Sequence, residues 1–388
     1  LSLMARWLRE EGFSTVPDVI VRFYGNHKPV IIIASLMCII APLAATATSL
    51  VAFGKLFSSI TGIPVNALVI AFALVNVLFI LPAGLKSVAW TDFLFGCLMV
   101  AATFFTMFYA IRLAGGWSQI TASVPTGIAS FPGGLVSVGW KTLFLWSFAL
   151  IPGTLTMQMY YQRIYAIDSA ADARKSLIIS ILVILTVEVF AGVLGMAIRT
   201  VNPDLAAEGA AGWFLTQLPT WFLAMYSAFI VITLLTTTNS MIQSIVVNVT
   251  RDIFQKVITP GMDEKTGRKL TVVFSFLTAF VAVVFAVVYP QALGWLLIGY
   301  SYSAAGLLFP IFLGYLLKDR MTLSAWTAMA GMLGGIGGCM WGQTLGAAAR
   351  IPYVGYGLLA SLVCMLMTAF LTRNVAAVSE EVTDPERL

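Results

Sequence analysis

Long apolar stretches separated by short polar ones dominate this sequence of 388 residues. About 20 apolar residues suffice to cross a bilayer as a helix. Ten such stretches occur, at 29–53, 64–84, 90–111, 140–160, 175–198, 219–249, 268–289, 291–317, 322–345 and 353–372. The composition, 60% hydrophobic and 10% charged, is unsuited to soluble domains. The sequence therefore predicts an all-α polytopic membrane protein with about ten transmembrane helices, in contact with membrane lipid.

The basic residues are distributed unevenly between the predicted loops. With a cytoplasmic N-terminus, only five of the 22 Lys and Arg residues fall outside: Lys55, Arg112, Lys141, Arg199 and Arg350. Because cytoplasmic loops carry an excess of positive charge, both ends of the chain are predicted to be cytoplasmic. We expect an amphipathic cytoplasmic segment at 1–28, one transmembrane domain at 29–372 and a cytoplasmic tail at 373–388. A bacterial inner membrane is the expected location.

Motifs for catalysis, nucleotide binding or metal binding are absent from the sequence. It contains no GxxxxGK[ST], HExxH or GxSxG, no CxxC among its four cysteines, and a single histidine, His27. No basic stripe with interleaved aromatic residues is present, which argues against nucleic-acid binding. We therefore expect neither an enzyme nor a nucleotide-driven pump, and no cofactor.

Two carboxylates lie within predicted spans, Asp92 in the third and Glu188 in the fifth. An ionised carboxylate in hydrocarbon costs a few kcal/mol, so each needs a partner, a proton or a water-filled cavity. For Glu188 we expect a protonated or hydrogen-bonded carboxyl that faces a neighbouring helix, and proton coupling is the alternative. Asp92 is a candidate for ion binding because of what the sixth span contains.

The sixth span carries a dense cluster of polar side chains in an otherwise apolar helix: Thr233, Thr236, Thr237, Thr238, Asn239 and Ser240. Positions 233, 236, 237 and 240 share one helix face, and 236, 239 and 240 share an overlapping one. Oxygens that converge in this way suit a small hard cation such as sodium. The alternative is that these hydroxyls bond back to helix carbonyls or to adjacent helices.

The fourth span contains Pro152 and Gly153 at its middle. Proline removes a backbone hydrogen bond and glycine loosens the helix, so a broken helix is expected there. In transporters such breaks expose backbone groups to substrate near the midplane of the membrane. A simple proline kink is the alternative. Gln158, on the cytoplasmic side, is either a substrate contact or an interface anchor.

Four sequence blocks together resemble the sodium/solute symporter family, whose members include proline, pantothenate, sialic acid and sodium/sugar transporters. The blocks are FSTVPDVIVRF at 13–23, GLKSVAWTD at 84–92, Gln162-Arg163 with Ala173-Arg174, and the segment from Thr236-Thr237-x-Asn239 to TRDIF at 250–254. They resemble, in order, the family's T-(I/V)-P-x-(F/V) segment, its W-T-D entry to a span, its Q-R…A-R loop and its S-(S/T)…R-D-(I/L) helix. Their order and spacing cover nearly the whole chain.

The resemblance implies a LeuT-type fold of two inverted five-helix repeats. The rest of the first repeat would occupy 29–112, the second repeat 140–317, and extra helices 322–372. It also implies a common sodium site with the carbonyl of Thr233 and the hydroxyls of Thr236 and Thr237. A possible additional sodium site would use Asp92, Thr236, Asn239 and Ser240. Asn239 stands where serine is more usual, which weakens this second assignment.

The implied function is sodium-coupled symport of a small polar solute, with sodium as the coupling ion. The candidates for lining the substrate site are Pro152, Gly153, Thr154, Gln158 and Tyr300. Leu150 lies where a sugar-type asparagine would be expected, so a carboxylate or amino-acid-like solute is favoured over a sugar. By the resemblance, a leading helix and the first two helices of repeat one are absent. The alternative is therefore a transporter-like sensor or membrane scaffold without transport; the oligomeric state is left open.

Overall fold

The structure is a computed structural model that describes residues 4–80, 85–125, 134, 137–167, 169–318 and 323–383. The side chains of residues 80–92 and 373–383 lie outside this description. The α-helices, numbered along the chain, are α1 (Ala5–Glu10), α2 (Val16–Tyr24), α3 (Lys28–Thr61), α4 (Val65–Ile80), α5 (Leu85–Leu113), α6 (Trp117–Ser123), α7 (Trp140–Thr156), α8 (Gln158–Ala166), α9 (Ala170–Val201), α10 (Ala210–Thr216), α11 (Thr220–Val247), α12 (Glu264–Val288), α13 (Ala292–Leu317), α14 (Ala325–Thr344) and α15 (Tyr353–Thr383). A π-helical segment, Asn248–Ile258, continues α11.

A helix lies at the place of each of the ten predicted spans. Among the described residues, eight helices are long and apolar enough to cross a membrane. The second predicted span corresponds to the shorter α4, and the ninth corresponds to α14, which is not one of the eight. The predicted span 64–84 extends into residues outside the description. The last span, Tyr353–Thr372, continues as helix to Thr383, within the predicted tail.

Helix α3 lies at the centre of the structure and contacts α2, α4, α10, α11, α12, α13 and the π-helical segment. The helix starts beside Pro29, which is tolerated in a first turn, and is ended by Gly62 with φ of 71°. Most of its residues are small or aliphatic and buried, so neighbouring helices approach from several directions. A Cβ on Gly54 would lie 2.9 Å from both Val65 and Val69 of α4, so this glycine permits close packing.

Glycines of α14 allow close approach to two neighbouring helices. A Cβ on Gly335 would lie 2.1 Å from the carbonyl oxygen of Ala305 in α13. A Cβ on Gly338 would lie 2.6 Å from the carbonyl oxygen of Tyr356 in α15. Backbone contacts this short require the absence of side chains, as is common between membrane helices. The contact at Gly335 sets the distance between α14 and α13, the helix that carries Tyr300.

The segment before α3 packs against one end of the helix assembly. Val16, Val19 and Ile20 of α2 are fully buried. The hydroxyl of Tyr24 donates a hydrogen bond of 2.9 Å to the carbonyl of Pro310, inside α13. The amphipathic segment predicted at 1–28 is thus attached to the core through an apolar face.

Candidate functional site

The fourth predicted span is a broken helix, but the interruption is not at Pro152-Gly153. Helix α7 continues through both residues to Thr156, and α8 begins at Gln158. Met157 between them is extended, with φ of −76° and ψ of 119°. The expected position of the break was therefore wrong by about one turn.

Side chains near Met157 explain why the interruption is there, because they satisfy the backbone groups that it frees. The hydroxyl of Thr156 donates to the carbonyl of Gly153 at 3.0 Å, and the hydroxyl of Tyr161 donates to the carbonyl of Leu155 at 2.9 Å. The hydroxyls of Thr156 and Ser303 lie 2.9 Å apart. A helix in a membrane can end only where such partners exist.

The structure brings Gly153 and Tyr300 into direct contact. A Cβ on Gly153 would lie 2.5 Å from the Cβ of Tyr300, so no larger residue fits here without movement. The hydroxyl of Tyr300 lies 3.6 Å from the sulfur of Met157 and donates to it. Three of the side chains that form this cluster are Met157 at the interruption, Met241 of α11 and Tyr300 of α13. The cluster therefore joins the broken helix to α11 and α13.

One of the predicted sodium ligands, Thr237, lies on the face of α11 that contacts the broken helix. Met241, one turn after Thr237, packs with Met157 and Tyr300. Thr236 is buried, and its hydroxyl donates to the carbonyl of Thr233 at 3.2 Å. The hydroxyl oxygen of Thr233 is buried and has no hydrogen-bond partner among the described residues. The hydroxyl of Thr236 thus bonds back to a helix carbonyl, which was the alternative to ion binding. The hydroxyl of Thr233 makes no such bond among the described residues.

The other predicted sodium ligands differ in their surroundings. Asn239 is 1% exposed, and neither atom of its amide has a partner in the described part of the chain. Ser240 donates to the carbonyl of Thr236 at 3.0 Å. Asp92 belongs to α5, but its side chain lies outside the described residues. Since hydrogen bonds leave hydroxyl lone pairs free, Thr236 and Ser240 keep the ability to ligate a cation.

Gln158 is fully buried at the start of α8, where its Oε1 accepts a hydrogen bond of 2.7 Å from the backbone of Val16. It therefore anchors the segment before α3, which was the alternative to a substrate contact. Thr154 lies in the last turn of α7 and is half-buried. Glu188 lies on an exposed face of α9, so the expectation that it faces a neighbouring helix does not hold among the described residues. That face of α9 is otherwise mostly apolar and exposed.

An ion-pair cluster that we call the inner clamp joins α2 to the π-helical segment. Its members are Asp18, Arg251, Asp252 and Lys256. Arg251 donates to Asp18 at 3.0 Å, and Lys256 contacts Asp18 and also Asp252, the latter at 2.6 Å. Thr15 adds a hydrogen bond of 3.1 Å from its hydroxyl to Asp252.

The inner clamp determines the protonation of Asp18. Burial raises the pKa of this carboxyl, but the hydrogen bond and charge of Lys256, with the charge of Arg251, outweigh burial and lower the pKa to about 2. Asp18 therefore stays ionised at physiological pH. Our interpretation of the sequence did not include the inner clamp, although TRDIF at 250–254 and the Asp18 block were both singled out.

This chain is similar in sequence and in fold to known proteins. The sequence model of the sodium:solute symporter family matches residues 1–335 of this chain. The chain is 23% identical over 309 residues to the sodium/glucose cotransporter of Vibrio parahaemolyticus, a match that covers 70% of this chain and 56% of that protein. The chain thus spans about half the length of this relative. It also resembles the substrate-bound outward-open structure of a Na⁺-coupled sialic acid symporter, with a TM-score of 0.77 and 17% identity, over 95% of this chain and 79% of that one.

The chain belongs to the sodium:solute symporter family. The predicted LeuT-type, all-α membrane fold is confirmed, since the structural match extends over nearly the whole chain. Membership in a family of transporters also confirms that the chain is not an enzyme. It is an integral membrane protein.

Proposed function

We propose that this chain belongs to a sodium-coupled symporter that imports a small polar organic solute across the bacterial inner membrane. Sodium would bind beside α11, through Thr233, Thr236 and Thr237 and at an additional site with Asp92, Asn239 and Ser240. The solute would bind beside the interruption of α7 and α8, lined by Gly153, Thr154 and Tyr300. Pro152 and Gln158 would support this site from the helix and from the cytoplasmic side.

The observation that carries the proposal is a set of buried, unpaired polar atoms on α11, a helix that contacts the interruption of the broken helix through Met241. Buried polar atoms without partners are costly in a membrane protein unless a ligand or water meets them. The hydroxyl of Thr233 and the amide of Asn239 are such atoms within the described residues. Along α11, Thr233 lies about two turns and Asn239 about half a turn before Met241, which contacts the interruption at Met157. Ion and solute would therefore bind close together, which is what coupling between them requires.

The contacts of charged residues support the predicted grouping of the loops onto two sides of the membrane. Arg9 contacts the carbonyl of Ile167, and Arg251 pairs with Asp18, so segments predicted to be cytoplasmic contact one another. Lys55, predicted to be outside, pairs with Glu208 at 2.9 Å. Lys141, also predicted to be outside, donates to the carbonyl of Ala349 at 2.8 Å. Ala349 lies in a predicted outer loop as well.

The solute class is proposed from the surroundings of the interruption. Leu150, Tyr160 and Leu296 line the cluster around Met157, and none of them offers the amides with which a site holds several sugar hydroxyls. The first turn of α8 presents backbone N–H groups, which favour a negatively charged group. We therefore favour a carboxylate or amino-acid-like solute over a neutral sugar.

The test is uptake of labelled proline, pantothenate, sialic acid and glucose into proteoliposomes that contain the full-length protein, in sodium against choline. We expect uptake of a carboxylate-bearing solute that requires sodium. Thr236→Ala and Thr237→Ala should each raise the sodium concentration for half-maximal uptake by about tenfold, the loss of one ligand. Asp92→Asn tests the additional site in the same way.

Thr186→Ala is the matched control, because this exposed threonine on α9 bonds back to the carbonyl of Leu182 and lies in another span. An unchanged sodium dependence in both α11 variants would overturn the assignment of the common site. Sodium binding without uptake of any solute would favour the transporter-like sensor or scaffold.

A further inference from the structure

A regular series of polar side chains extends from the proposed sodium site to the cytoplasmic end of α11. We call it the polar stripe, and its members recur at every fourth position: Thr236, Ser240, Ser244, Asn248 and Asp252. Residues four apart are neighbours on a helix surface. Ser240 donates to the carbonyl of Thr236 at 3.0 Å, and the hydroxyl oxygen of Ser244 lies 2.9 Å from the carbonyl oxygen of Ser240. Each hydroxyl oxygen therefore keeps lone pairs for a cation.

The inner end of the polar stripe contains buried polar atoms without partners. Asn248 is fully buried, and neither its Oδ1 nor its Nδ2 has a hydrogen-bond partner in the described part of the chain. Asp252 is fully buried one turn later, and its Oδ2 has none either. Such atoms cost about 1–3 kcal/mol each when nothing meets them. An amide oxygen and a carboxylate oxygen on one helix face are ligands that suit a hard cation.

The backbone at this place is also unusual. Asn248 and Asp252 lie in the π-helical segment Asn248–Ile258, a conformation that is rare and is frequent at functional sites. Gln158 approaches the same region through Val16, the neighbour of Thr15, and its Nε2 is a further buried atom with no described partner. The region is thus richer in unpaired polar groups than packing alone requires.

The other oxygen of Asp252 is paired with the ammonium group of a lysine. The ammonium of Lys256 lies 2.6 Å from Oδ1 of Asp252 and also contacts Asp18. Asp18 belongs to the segment before α3, so this ammonium holds the inner clamp closed from its middle. A sodium ion at Oδ2 would compete with Lys256 for the same carboxylate charge.

We propose that Asp252 and Asn248 form a sodium relay site at the cytoplasmic end of the polar stripe, in competition with the ammonium of Lys256. The site rests on the proposed sodium-coupled function, because its ion arrives from the α11 site. Sodium at Asp252 weakens the Lys256–Asp252 pair, which holds the ammonium between the two carboxylates, and so loosens the inner clamp and favours release of α2. Departure of the ion lets the clamp close again.

The experiment measures sodium binding by thermal stability of the purified chain, in sodium chloride against choline chloride at matched ionic strength. All variants carry Thr236→Ala, which removes the proposed common site from the signal. Lys256→Met should then reveal sodium-dependent stabilisation, with an apparent affinity about tenfold higher than in the Thr236→Ala parent. Adding Asp252→Asn, which preserves shape, should abolish the gain, and adding Asn248→Leu should reduce it.

Lys269→Met is the matched control, because it removes an exposed lysine from the same side of the membrane. An equal gain in Lys269→Met, or a gain that survives Asp252→Asn, would overturn the relay site. The readout needs no transport, so it separates the two proposals. Absence of the gain alongside normal sodium-dependent uptake refutes only the relay site. Its presence without any uptake supports the site and refutes symport.

Discussion

Replacement of Gly335 by alanine tests whether close backbone packing holds α13 in place. The added Cβ would lie 2.1 Å from the carbonyl oxygen and 2.5 Å from the carbonyl carbon of Ala305, and 3.1 Å from the nitrogen of Gly306. All three atoms belong to the backbone of α13, so no side-chain rotation relieves the contact. Because non-bonded carbons prefer about 3.5–4.0 Å, α14 must move away from α13 by roughly 1 Å.

The expected cost follows from this geometry. Overpacking costs about 1–3 kcal/mol, and a clash between two helix backbones belongs at the upper end. Alanine in a helix interior regains about 1 kcal/mol relative to glycine. We therefore expect Gly335→Ala to lower the free energy of unfolding by about 2 kcal/mol.

Gly337 offers a matched control on the same helix, because a Cβ there would have nothing within 4 Å. Gly337→Ala should gain up to about 1 kcal/mol, which separates the two variants by about 3 kcal/mol. For a chain of 388 residues this corresponds to a difference of about 4 °C in melting temperature in one detergent. Equal melting temperatures for the two variants would refute the argument that α13 and α14 are in backbone contact.

Two further predictions concern the end of the structure that carries the inner clamp. Because the pKa of Asp18 is lowered to about 2 from an ordinary value of 3.8, its contribution to stability is fully present above about pH 4 and is lost as pH falls towards 2. Asp18→Asn should therefore lower the free energy of unfolding near pH 7 by about 1 kcal/mol. Plotted against pH, the free energies of unfolding of wild type and variant should converge near pH 2. Curves that stay parallel would contradict this. The hydroxyl of Ser244 donates to Gln162 at 3.0 Å, so Ser244→Ala and Gln162→Ala should show a coupling of about 0.5–1.5 kcal/mol in a double-mutant cycle. Additive effects would mean that this hydrogen bond does not contribute to stability.

The sequence predicted the class of fold because a bilayer imposes its requirement locally. An apolar run of sufficient length predicts a helix whatever its neighbours are, and all ten runs overlap described helices over most of their length. The run at 64–84 overlaps α4, which is described to Ile80. The cluster around Thr236 was also visible from spacing alone, since residues three or four apart share a helix face.

Other features required the tertiary structure. From the sequence, the helix was expected to break at Pro152-Gly153, because these residues have the strongest helix-breaking tendency. The structure interrupts the helix at Met157 instead. The actual position of the interruption depends on Ser303 and Tyr161, which satisfy groups of the last turn of α7.

The inner clamp has the same origin. Lys256 and Asp18 are 238 residues apart, so their contact follows from the packing of α2 against the π-helical segment. The polar stripe could have been recognised by its four-residue spacing, but burial of Asn248 and the unpaired oxygen of Asp252 could not. Length, polarity and periodicity are local properties that a sequence determines by itself. Which polar groups meet a partner and which are buried without one is decided only when distant segments pack together.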